Sequence, residues 1–273
     1  MSQPMPRRPL MAVLLLSLAP CAAPASQQKD PSAEAEITFN AGLSHLREGR
    51  TEMALDSFKR AIAKDPKNPY FHKALGIAHA QMADRCPAGP TGDSCRAPRL
   101  ADAVAAARRA LELNPYYVDA RNDLGIWLLR SGKRDEGRKE LMTAYEDPTN
   151  PTPEHTARNL GQAFLEDKRP DQAQVWFLTA ITRNKNYADA YVALAELLLA
   201  QRKVDEAVRQ LEVGAKENPD DVALALALGQ AYQRAGKLSD ARKSWEKVAA
   251  KDPAGPAGRR ALELLRTLQQ PQP

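Results

Sequence analysis

The stretch ADAYVALAELLLAQRKVDEAVRQLEVGAKENPDD, residues 188–221, is followed at once by VALALALGQAYQRAGKLSDARKSWEKVAAKDPAG, residues 222–255. The two 34-residue segments align without a gap, and small residues coincide at several positions, among them Ala195 with Gly229 and Ala207 with Ala241. A fixed period of this length is typical of stacked helix-turn-helix units, each of which buries its apolar face against the next. The pattern therefore predicts an all-α scaffold whose function is binding rather than catalysis.

The same ladder runs through the rest of the chain, where small residues recur at two offsets within each unit. The pattern resembles the tetratricopeptide repeat, in which small residues at positions eight and twenty let the two helices of a hairpin approach closely. The resemblance implies a right-handed superhelix of six repeats with a carboxy-terminal capping helix. The residues that carry it are Gly42, Gly76, Gly161, Ala195 and Gly229 for the first offset, and Ala54, Ala103, Gly137, Ala173, Ala207 and Ala241 for the second.

The repeats account for one domain over residues 35–270. The second repeat is longer than the others because residues 85–99 are inserted between its helices, and we expect them to lengthen the turn. Three prolines within residues 148–153 separate the third repeat from the fourth. We place the repeats at about 35–68, 69–117, 118–151, 154–187, 188–221 and 222–255, and the capping helix at 259–269.

Composition limits the classes of function. The 273 residues are 43% apolar but only 5% aromatic, so the core must be built mainly from Ala and Leu in close helix-helix contact. The net charge of +5 falls to +3 without Arg7 and Arg8, which belong to the amino-terminal segment. This charge is small, and no basic run with interleaved aromatic residues occurs. Both observations argue against a nucleic-acid partner.

Residues 1–20 have the features of a bacterial export signal. Arg7 and Arg8 provide the positive start, and the apolar segment LMAVLLLSL follows at residues 10–18. This segment is too short to span a bilayer, which requires about 20 apolar residues. We therefore expect the mature protein to lie outside the cytoplasm.

The end of this signal resembles the lipobox of bacterial lipoproteins in the stretch Leu18-Ala19-Pro20-Cys21. The resemblance implies that Cys21 carries the lipid and that residues 21–34 form a lipidated terminus and linker. Pro20 departs from the Gly, Ala or Ser that the family usually has there. The alternative is ordinary signal cleavage after Ala25, which would remove Cys21 and leave a soluble periplasmic protein.

The two remaining cysteines, Cys86 and Cys95, lie in the turn-rich insertion. In an oxidising compartment, two thiols that close a short loop favour a disulfide. A metal site with His79, Asp84 or Asp93 is one alternative, although the cysteine spacing is not that of the common zinc motifs. A redox-active cysteine pair is another. We predict a disulfide and no metal.

The sequence contains no Gly-rich phosphate loop, nucleophile elbow or HExxH motif. Three of the four histidines, His45, His72 and His79, occupy repeat positions where a large residue packs. Acidic residues are spread beside Lys and Arg, which is typical of solvated helix faces. We therefore predict a protein that is not an enzyme and has neither a cofactor nor a small-molecule substrate.

The resemblance also implies a binding surface. In this repeat class, the first helix of each hairpin lines the concave face through its second, fifth, ninth and twelfth positions. Such a groove suits an extended or helical peptide, although each apolar residue could instead pack only against the next hairpin. The predicted groove is apolar at its amino-terminal end and basic or amide-bearing in its middle: Phe39, Leu43, Tyr70, Lys73, Ile77, Asn122, Ile126, Arg158 and Gln162.

Six repeats behind a lipoprotein-type signal, with no further domain, resemble the pilotins of the type IV pilus system, of the PilF and Tgl type. The resemblance implies a lipid-anchored protein of the outer membrane that faces the periplasm. Such a protein would bind a secretin, promote its assembly into a ring and so support pilus formation and motility. Two alternatives stay open: a general envelope adaptor for peptidoglycan or outer-membrane protein machinery, and a periplasmic chaperone-like maturation factor.

Overall fold

The computed structural model describes residues 31–269, and every regular element in that range is an α-helix. Each helix packs against the next, so the prediction of an all-α repeat solenoid is confirmed. None of the helices in the described range is long and apolar enough to cross a membrane. The helices are α1 (Pro31–Arg47), α2 (Thr51–Lys64), α3 (Pro69–Asp84), α4 (Pro90–Leu113), α5 (Val118–Arg130), α6 (Arg134–Glu146), α7 (Pro153–Glu166), α8 (Pro170–Arg183), α9 (Ala188–Ala200), α10 (Val204–Glu217), α11 (Val222–Arg234), α12 (Leu238–Lys251) and α13 (Pro256–Gln269).

Glycine allows the two helices of a hairpin to approach closely. A Cβ atom added to Gly42 would lie 2.5 Å from Phe58 Cε1, and one added to Gly161 would lie 2.5 Å from Phe177 Cε1. Both rings are fully buried. The ring on the second helix therefore occupies the space that a side chain on the first helix would need, which explains the spacing of small and aromatic residues along the chain.

The second repeat fills this space from the neighbouring hairpin. Its second helix carries Ala107 where the first and fourth repeats carry phenylalanine. Trp127 of α5 takes the vacant position, because a Cβ atom added to Gly76 would lie 2.5 Å from Trp127 Cζ3. Trp127 is buried against Ala103 and Leu128 in the same apolar cluster. Successive hairpins therefore interlock at this point.

The turn inside five of the six hairpins is closed by a residue in the left-handed conformation. In the third repeat Gly132 has φ of 83°, its N–H binds Leu129 O and the next N–H binds Leu128 O. This pair of hydrogen bonds is the Schellman motif, which satisfies the last carbonyl groups of a helix. The equivalent residues of the fourth and fifth repeats, Lys168 and Arg202, adopt φ of 58° and 62° without being glycine.

The insertion in the second repeat differs from the lengthened turn that we expected. Helix α4 begins at Pro90, so most of residues 85–99 extend the helix by nearly three turns beyond the usual start. Proline is favoured in the first turn of a helix, where its missing N–H has no intrahelical partner to lose. Pro98 lies further inside α4 and is accommodated there. The turn itself is confined to residues 85–89.

The first repeat and the capping helix both begin earlier in the chain than predicted. Residues 31–34, which we assigned to the linker, form the first turn of α1, where Lys64 Nζ lies 3.0 Å from Glu34 Oε2. The capping helix α13 starts at Pro256 rather than at residue 259. Its buried Ala261 packs with Trp245 in one cluster, so α13 covers the apolar face of the last hairpin.

The array curves so that the odd-numbered helices lie on the inside. The backbone of each odd-numbered helix from α1 to α11 lies close to that of the next odd-numbered helix, whereas successive even-numbered helices within residues 31–269 meet only through side chains, such as those of Tyr145 and Trp176. Elements on the inner side of a curved stack are closer together than those on the outer side. The odd-numbered helices therefore line the concave face, which we call the groove.

Candidate functional site

The amino-terminal end of the groove is a cluster of aromatic rings. Asn68 caps α3 by accepting a hydrogen bond from the Tyr70 N–H at 3.0 Å, which fixes Tyr70 in the first turn. Tyr70 is 55% exposed, so its ring is available to a partner. Phe39 is only partly exposed, because its ring packs against Phe71 with centroids 4.7 Å apart. Leu43 is also half-buried, beside the core of the first hairpin.

The apolar residues further along form the floor of the groove rather than a separate patch. Ile77 and Ile126 are half-buried and pack against the cluster that contains Trp127. Each therefore stabilises the contact between successive hairpins while exposing part of its surface to the groove. Packing against the neighbouring hairpin, the alternative interpretation, therefore applies to both residues.

Lys73 lies in the groove within a cluster of acidic residues. The Lys73 ammonium lies 3.8 Å from an Asp123 carboxylate oxygen and 3.9 Å from one of Asp119. Two acidic residues on α5 therefore surround the one cation supplied by α3. Burial raises the pKa of Asp123 to about 6, although the nearby Lys73 charge opposes the rise. Above that pH this part of the groove carries a net negative charge.

A small polar recess of about 130 Å³ opens beside this charge cluster. Its walls come from the first turns of α5 and α7 and from the connection before α7. The volume holds only a few water molecules or one small side-chain head group. The recess is lined by Lys73, Val118, Asp119, Asn122, Asp123, Asn150, Thr152, His155 and Thr156.

Aromatic rings border the groove at the start of the odd-numbered helices. Tyr70 and Tyr117 meet edge to face with centroids 5.0 Å apart, and Lys73 Nζ lies 5.5 Å from the Tyr117 centroid. Burial raises the pKa of Tyr117, and Asp119 adds to the rise. Two repeats further on, His155 stacks on the Tyr187 ring at 4.5 Å. These rings form one rim of the groove.

The fourth repeat provides amide groups and one arginine. Asn159 Nδ2 donates a hydrogen bond of 3.2 Å to Asn122 Oδ1, which links α7 to α5. Gln162 Nε2 donates to Glu166 Oε1 at 3.2 Å, so part of its hydrogen-bonding capacity is used within α7. Arg158 is half-buried. Its Nε atom is inaccessible to solvent and has no hydrogen-bond partner in the described part of the chain.

Sequence reasoning located the groove helices but missed several residues that shape the groove. Asp123 falls at the sixth position of its repeat, which is not one of the four groove positions, whereas Asp119 and His155 occupy second positions. The two rim tyrosines, Tyr117 and Tyr187, immediately precede α5 and α9. Their recurrence one residue before a repeat was the signal that could have revealed them.

The remaining predicted sites lie away from the groove. Cys86 and Cys95 form a disulfide that joins the end of α3 to the first turns of α4, and Arg99 Nη1 lies 3.1 Å from Cys95 Sγ. The Cys86 side chain is buried. Within residues 31–269 no three His, Cys, Asp or Glu side chains are grouped to hold a metal ion. The signal at residues 1–20 and the predicted lipidation site Cys21 lie outside the described residues.

Comparison with known protein families identifies the repeats. Models described as tetratricopeptide repeats match three segments, and a model described as a TPR repeat matches a fourth. The matched segments together cover more than half of the chain and include parts of all six hairpins. They are residues 42–82, 96–151, 164–223 and 223–254.

Similar proteins fall into two groups by how much of their own length is matched. The type IV pilus assembly protein PilF of Pseudomonas aeruginosa is 24% identical over 237 residues, which are 83% of this chain and 87% of that protein. Protein CTR9 homolog of Arabidopsis thaliana is 24% identical over 228 residues, but the match covers only 20% of its length.

Two solved structures share the fold over most of their length. The structure of Pseudomonas aeruginosa PilF has a TM-score of 0.60 and 20% identity, covering 86% of this chain and 100% of that chain. The structure of PilW, described as a widely conserved type IV pilus biogenesis factor, has a TM-score of 0.59 and 18% identity, covering 84% of this chain and 98% of that chain. At these identities the similarity shows the fold alone.

Proposed function

This chain belongs to the tetratricopeptide-repeat proteins, and from that premise we propose that it is a lipid-anchored scaffold of type IV pilus biogenesis. In this proposal it binds an outer-membrane secretin and promotes assembly of the secretin ring. The observation that carries the proposal is the extent of the match to PilF, which spans 83% of this chain and 87% of that protein. A match based on the repeats alone, such as that to the CTR9 homolog, leaves most of the other protein uncovered.

The groove supports a protein partner rather than a small molecule. It extends over six hairpins and combines the exposed ring of Tyr70, the acidic pair around Lys73 and the guanidinium of Arg158. The recess beside Lys73 is smaller than the 300–1,000 Å³ or so that small-molecule sites usually occupy. A long surface with several separate chemical features suits a peptide segment that contacts many repeats at once.

The proposed anchor defines which edge of the scaffold lies near the membrane. Cys21 precedes Pro31 by ten residues, which span at most about 35 Å when fully extended. Glu34 in the first turn of α1 pairs with Lys64 at the end of α2. The start of α1 therefore lies at the edge of the solenoid where the odd-numbered helices begin and the even-numbered helices end. This edge also carries the rim of the groove formed by Tyr70, Tyr117, His155 and Tyr187. In the proposal, the lipid therefore holds the rim of the groove toward the membrane in which the secretin assembles.

Site-specific photocrosslinking in living cells tests the partner. A photoreactive amino acid at Tyr70 samples the groove, and the same group at Val175, which is 60% exposed on the outer helix α8, provides the matched control. We expect the Tyr70 probe to capture a secretin and the Val175 probe to capture it far less. Capture of peptidoglycan enzymes or of unfolded outer-membrane proteins from the groove instead would contradict the proposal and favour an envelope adaptor or a chaperone.

Substitution of Cys21 tests the anchor separately from the groove. We expect Cys21→Ser to leave the helical content unchanged and to abolish outer-membrane retention and heat-resistant secretin multimers. Fractionation of the envelope and immunoblotting of the multimers provide the two measurements. Normal multimers in a strain whose only copy carries this substitution would overturn the role assigned to the lipid.

A further inference from the structure

The outward face of α8 lacks the charges that the other outer helices carry. Residues 172–182 contain no Asp, Glu, Lys or Arg, and Val175 and Leu178 occupy two outward positions of this stretch. At one of these two repeat positions, each of the other five even-numbered helices from α2 to α12 carries a lysine or an arginine: Lys59, Arg108, Lys139, Arg209 and Lys243. The solvated pattern of the convex face is therefore interrupted at α8.

The exposed apolar residues of α8 form one continuous patch. Val175 is 60% exposed and Leu178 is 39% exposed. Together with residues of α6 and α8 they line a shallow groove of about 600 Å³, whose other walls are Tyr145, Thr179, Thr182 and Arg183. Residues 175, 178, 179 and 182 follow the spacing at which one side of a helix packs lengthwise against another helix. The patch therefore has the shape of a helix-helix contact.

Opposite charges lie at the two ends of this patch. Asp171, in the first turn of α8, is exposed and forms no ion pair within residues 31–269. Arg183, in the last turn, lies over the Tyr145 ring at 5.3 Å from its centroid and donates a hydrogen bond of 3.1 Å to the Tyr145 hydroxyl. No carboxylate of the described chain pairs with Arg183. Both charges are therefore available to a partner.

We infer that α8 binds α8 of a second copy of this chain in an antiparallel arrangement. Asp171 and Arg183 lie equally far from the middle of the patch, so a two-fold axis at that point brings each beside the other residue of the second copy. The same axis sets Val175 against Thr179 and brings the two Leu178 side chains close together. Each contact forms twice, as in other two-fold interfaces. Antiparallel packing also places the start of each helix dipole beside the end of the other.

Other occupants fit the charges of α8 less well. A parallel pair of copies would bring the two Asp171 carboxylates together at one end and the two Arg183 guanidinium groups together at the other. A helix that lies on a membrane surface usually carries several lysines or arginines beside its apolar face, whereas Arg183 is the one cation of α8. The antiparallel copy is the partner that neutralises both ends of the patch.

The contact is confined to one helix of each copy. Exposed Lys139 of α6 and Arg209 of α10 border the uncharged face, and the convex shape moves these helices away from the second copy. Stable interfaces bury at least about 1,200 Å² in total, and one pair of 14-residue helices covers less. The pair is therefore weak in solution, and confinement to a membrane would strengthen it by raising the effective concentration. Both grooves stay free because they lie on the opposite face of each solenoid.

Photocrosslinking in cells tests the contact in the full chain. We expect a photoreactive amino acid at Leu178, which lies near the two-fold axis, to give a product of twice the mass of the protein. Two epitope tags on co-expressed copies show that this product contains two copies of the chain. The same group at Met53, which is 51% exposed on the outer helix α2, is the matched control and should give far less of it.

Charge reversal tests the antiparallel pairing. Asp171→Lys leaves each copy with cations at both ends of α8, and Arg183→Glu leaves anions at both ends. Each variant should self-associate about tenfold more weakly or worse, because two ion pairs become two contacts between like charges. A mixture of the two variants should associate about as strongly as the unsubstituted protein, because every contact again joins opposite charges. Arg242→Glu, at an exposed residue of α12, should leave self-association unchanged.

Sedimentation equilibrium up to millimolar protein measures these associations, and circular dichroism shows that each variant is folded. Three results would contradict the inference: capture of a different protein by the Leu178 probe without the double-mass product, an equal yield of that product from Met53, or a mixture of charge variants that associates no more strongly than either alone. Association in solution needs neither the lipid nor the secretin. Failure to crosslink a secretin from Tyr70 would therefore refute the proposed partner and leave the pairing through α8 in force.

Discussion

Replacement of Gly161 by alanine should destabilise the fold although alanine is the better helix former. The added Cβ would lie 2.5, 2.6 and 3.1 Å from three ring atoms of Phe177, which is fully buried. Overpacking of this kind costs about 1–3 kcal/mol, whereas replacing glycine within a helix contributes about 1 kcal/mol. We therefore expect Gly161→Ala to lower the free energy of unfolding by about 1 kcal/mol.

The fifth repeat shows how the steric conflict can be relieved. Where the fourth repeat has Gly161 and Phe177, the fifth has Ala195 and Leu211, both buried. Phe177→Leu alone should cost about 1–2 kcal/mol because it leaves a cavity beside the glycine. The double variant recreates the pair of the fifth repeat, in which the methyl group and the smaller side chain share the space.

Equilibrium urea unfolding followed by far-UV circular dichroism measures this double-mutant cycle. We expect the free energy of unfolding of the double variant to exceed, by at least about 1 kcal/mol, the value obtained by adding the effects of the two single substitutions. Ala195→Gly provides the control, because it removes a methyl group where no ring needs the space and should cost about 1 kcal/mol. Additivity of Gly161→Ala and Phe177→Leu within about 0.5 kcal/mol would refute the close-approach explanation.

Three further perturbations test other features by unfolding measurements. The pKa of Asp123 is raised to about 6 in the folded protein, so the native state holds its proton at a pH where the unfolded state has lost it. Stability should therefore fall as pH rises from about 4 to about 6, by at most about 3 kcal/mol, and Asp123→Asn should abolish that fall. Replacing Cys86 and Cys95 by serine should cost about 2.5 kcal/mol through the entropy of the short loop. Lys168→Gly and Arg202→Gly should each add about 0.5–1 kcal/mol, because φ is positive at both residues.

Each of these expectations has a clear contrary result. An unchanged pH profile in Asp123→Asn would assign the titration to another group. Equal stability with and without the disulfide would mean that the unfolded state is already constrained near Cys86. A loss of stability in Lys168→Gly would show that contacts of the lysine side chain outweigh the backbone strain.

The pattern of small and large residues predicted the hairpins because the same contact recurs in each repeat. The glycine or alanine at the eighth position and the large residue at the twenty-fourth face each other directly, as Gly42 and Phe58 do. The second repeat departs from this rule, since Trp127 of the following hairpin covers Gly76. Whether a side chain of the following hairpin can cover the glycine depends on the distance between hairpins, which the sequence of a single repeat does not encode.

The structure of the insertion was predicted wrongly for a reason that lies in its composition. The stretch from Cys86 to Gly92 contains two prolines and two glycines, and these residues usually indicate a turn. The same Pro90 that suggests a turn is also favoured in the first turn of a helix, and Gly89 precedes it with φ of 88°. Local signals of this kind do not distinguish a long turn from a short turn followed by an early helix.

The net charge along the groove depends on contacts between repeats. It therefore cannot be predicted from the residue type at each repeat position. Lys73 occupies a predicted groove position, but its charge partners Asp119 and Asp123 belong to the next repeat. Arg158, by contrast, forms no ion pair within residues 31–269, and the carboxylate of Glu154 one turn away accepts a hydrogen bond from Asn184. Which cation is free is decided by the packing of α3, α5 and α7, not by the residue type at any one position.

The differences between the repeats determine what kind of ligand the groove selects. Packing constrains the eighth and twentieth positions, but the fifth position is free to vary and holds Lys73, Asn122, Arg158 and Val192 in successive repeats. A peptide displaced by one repeat would therefore meet a different residue at this position, apolar at Val192 and charged at Arg158. Such a displacement exchanges a polar contact for an apolar one or the reverse, and so weakens a ligand that is fitted to one register. A groove built from similar repeats therefore recognises a ligand in one register, through the positions at which the repeats are least alike.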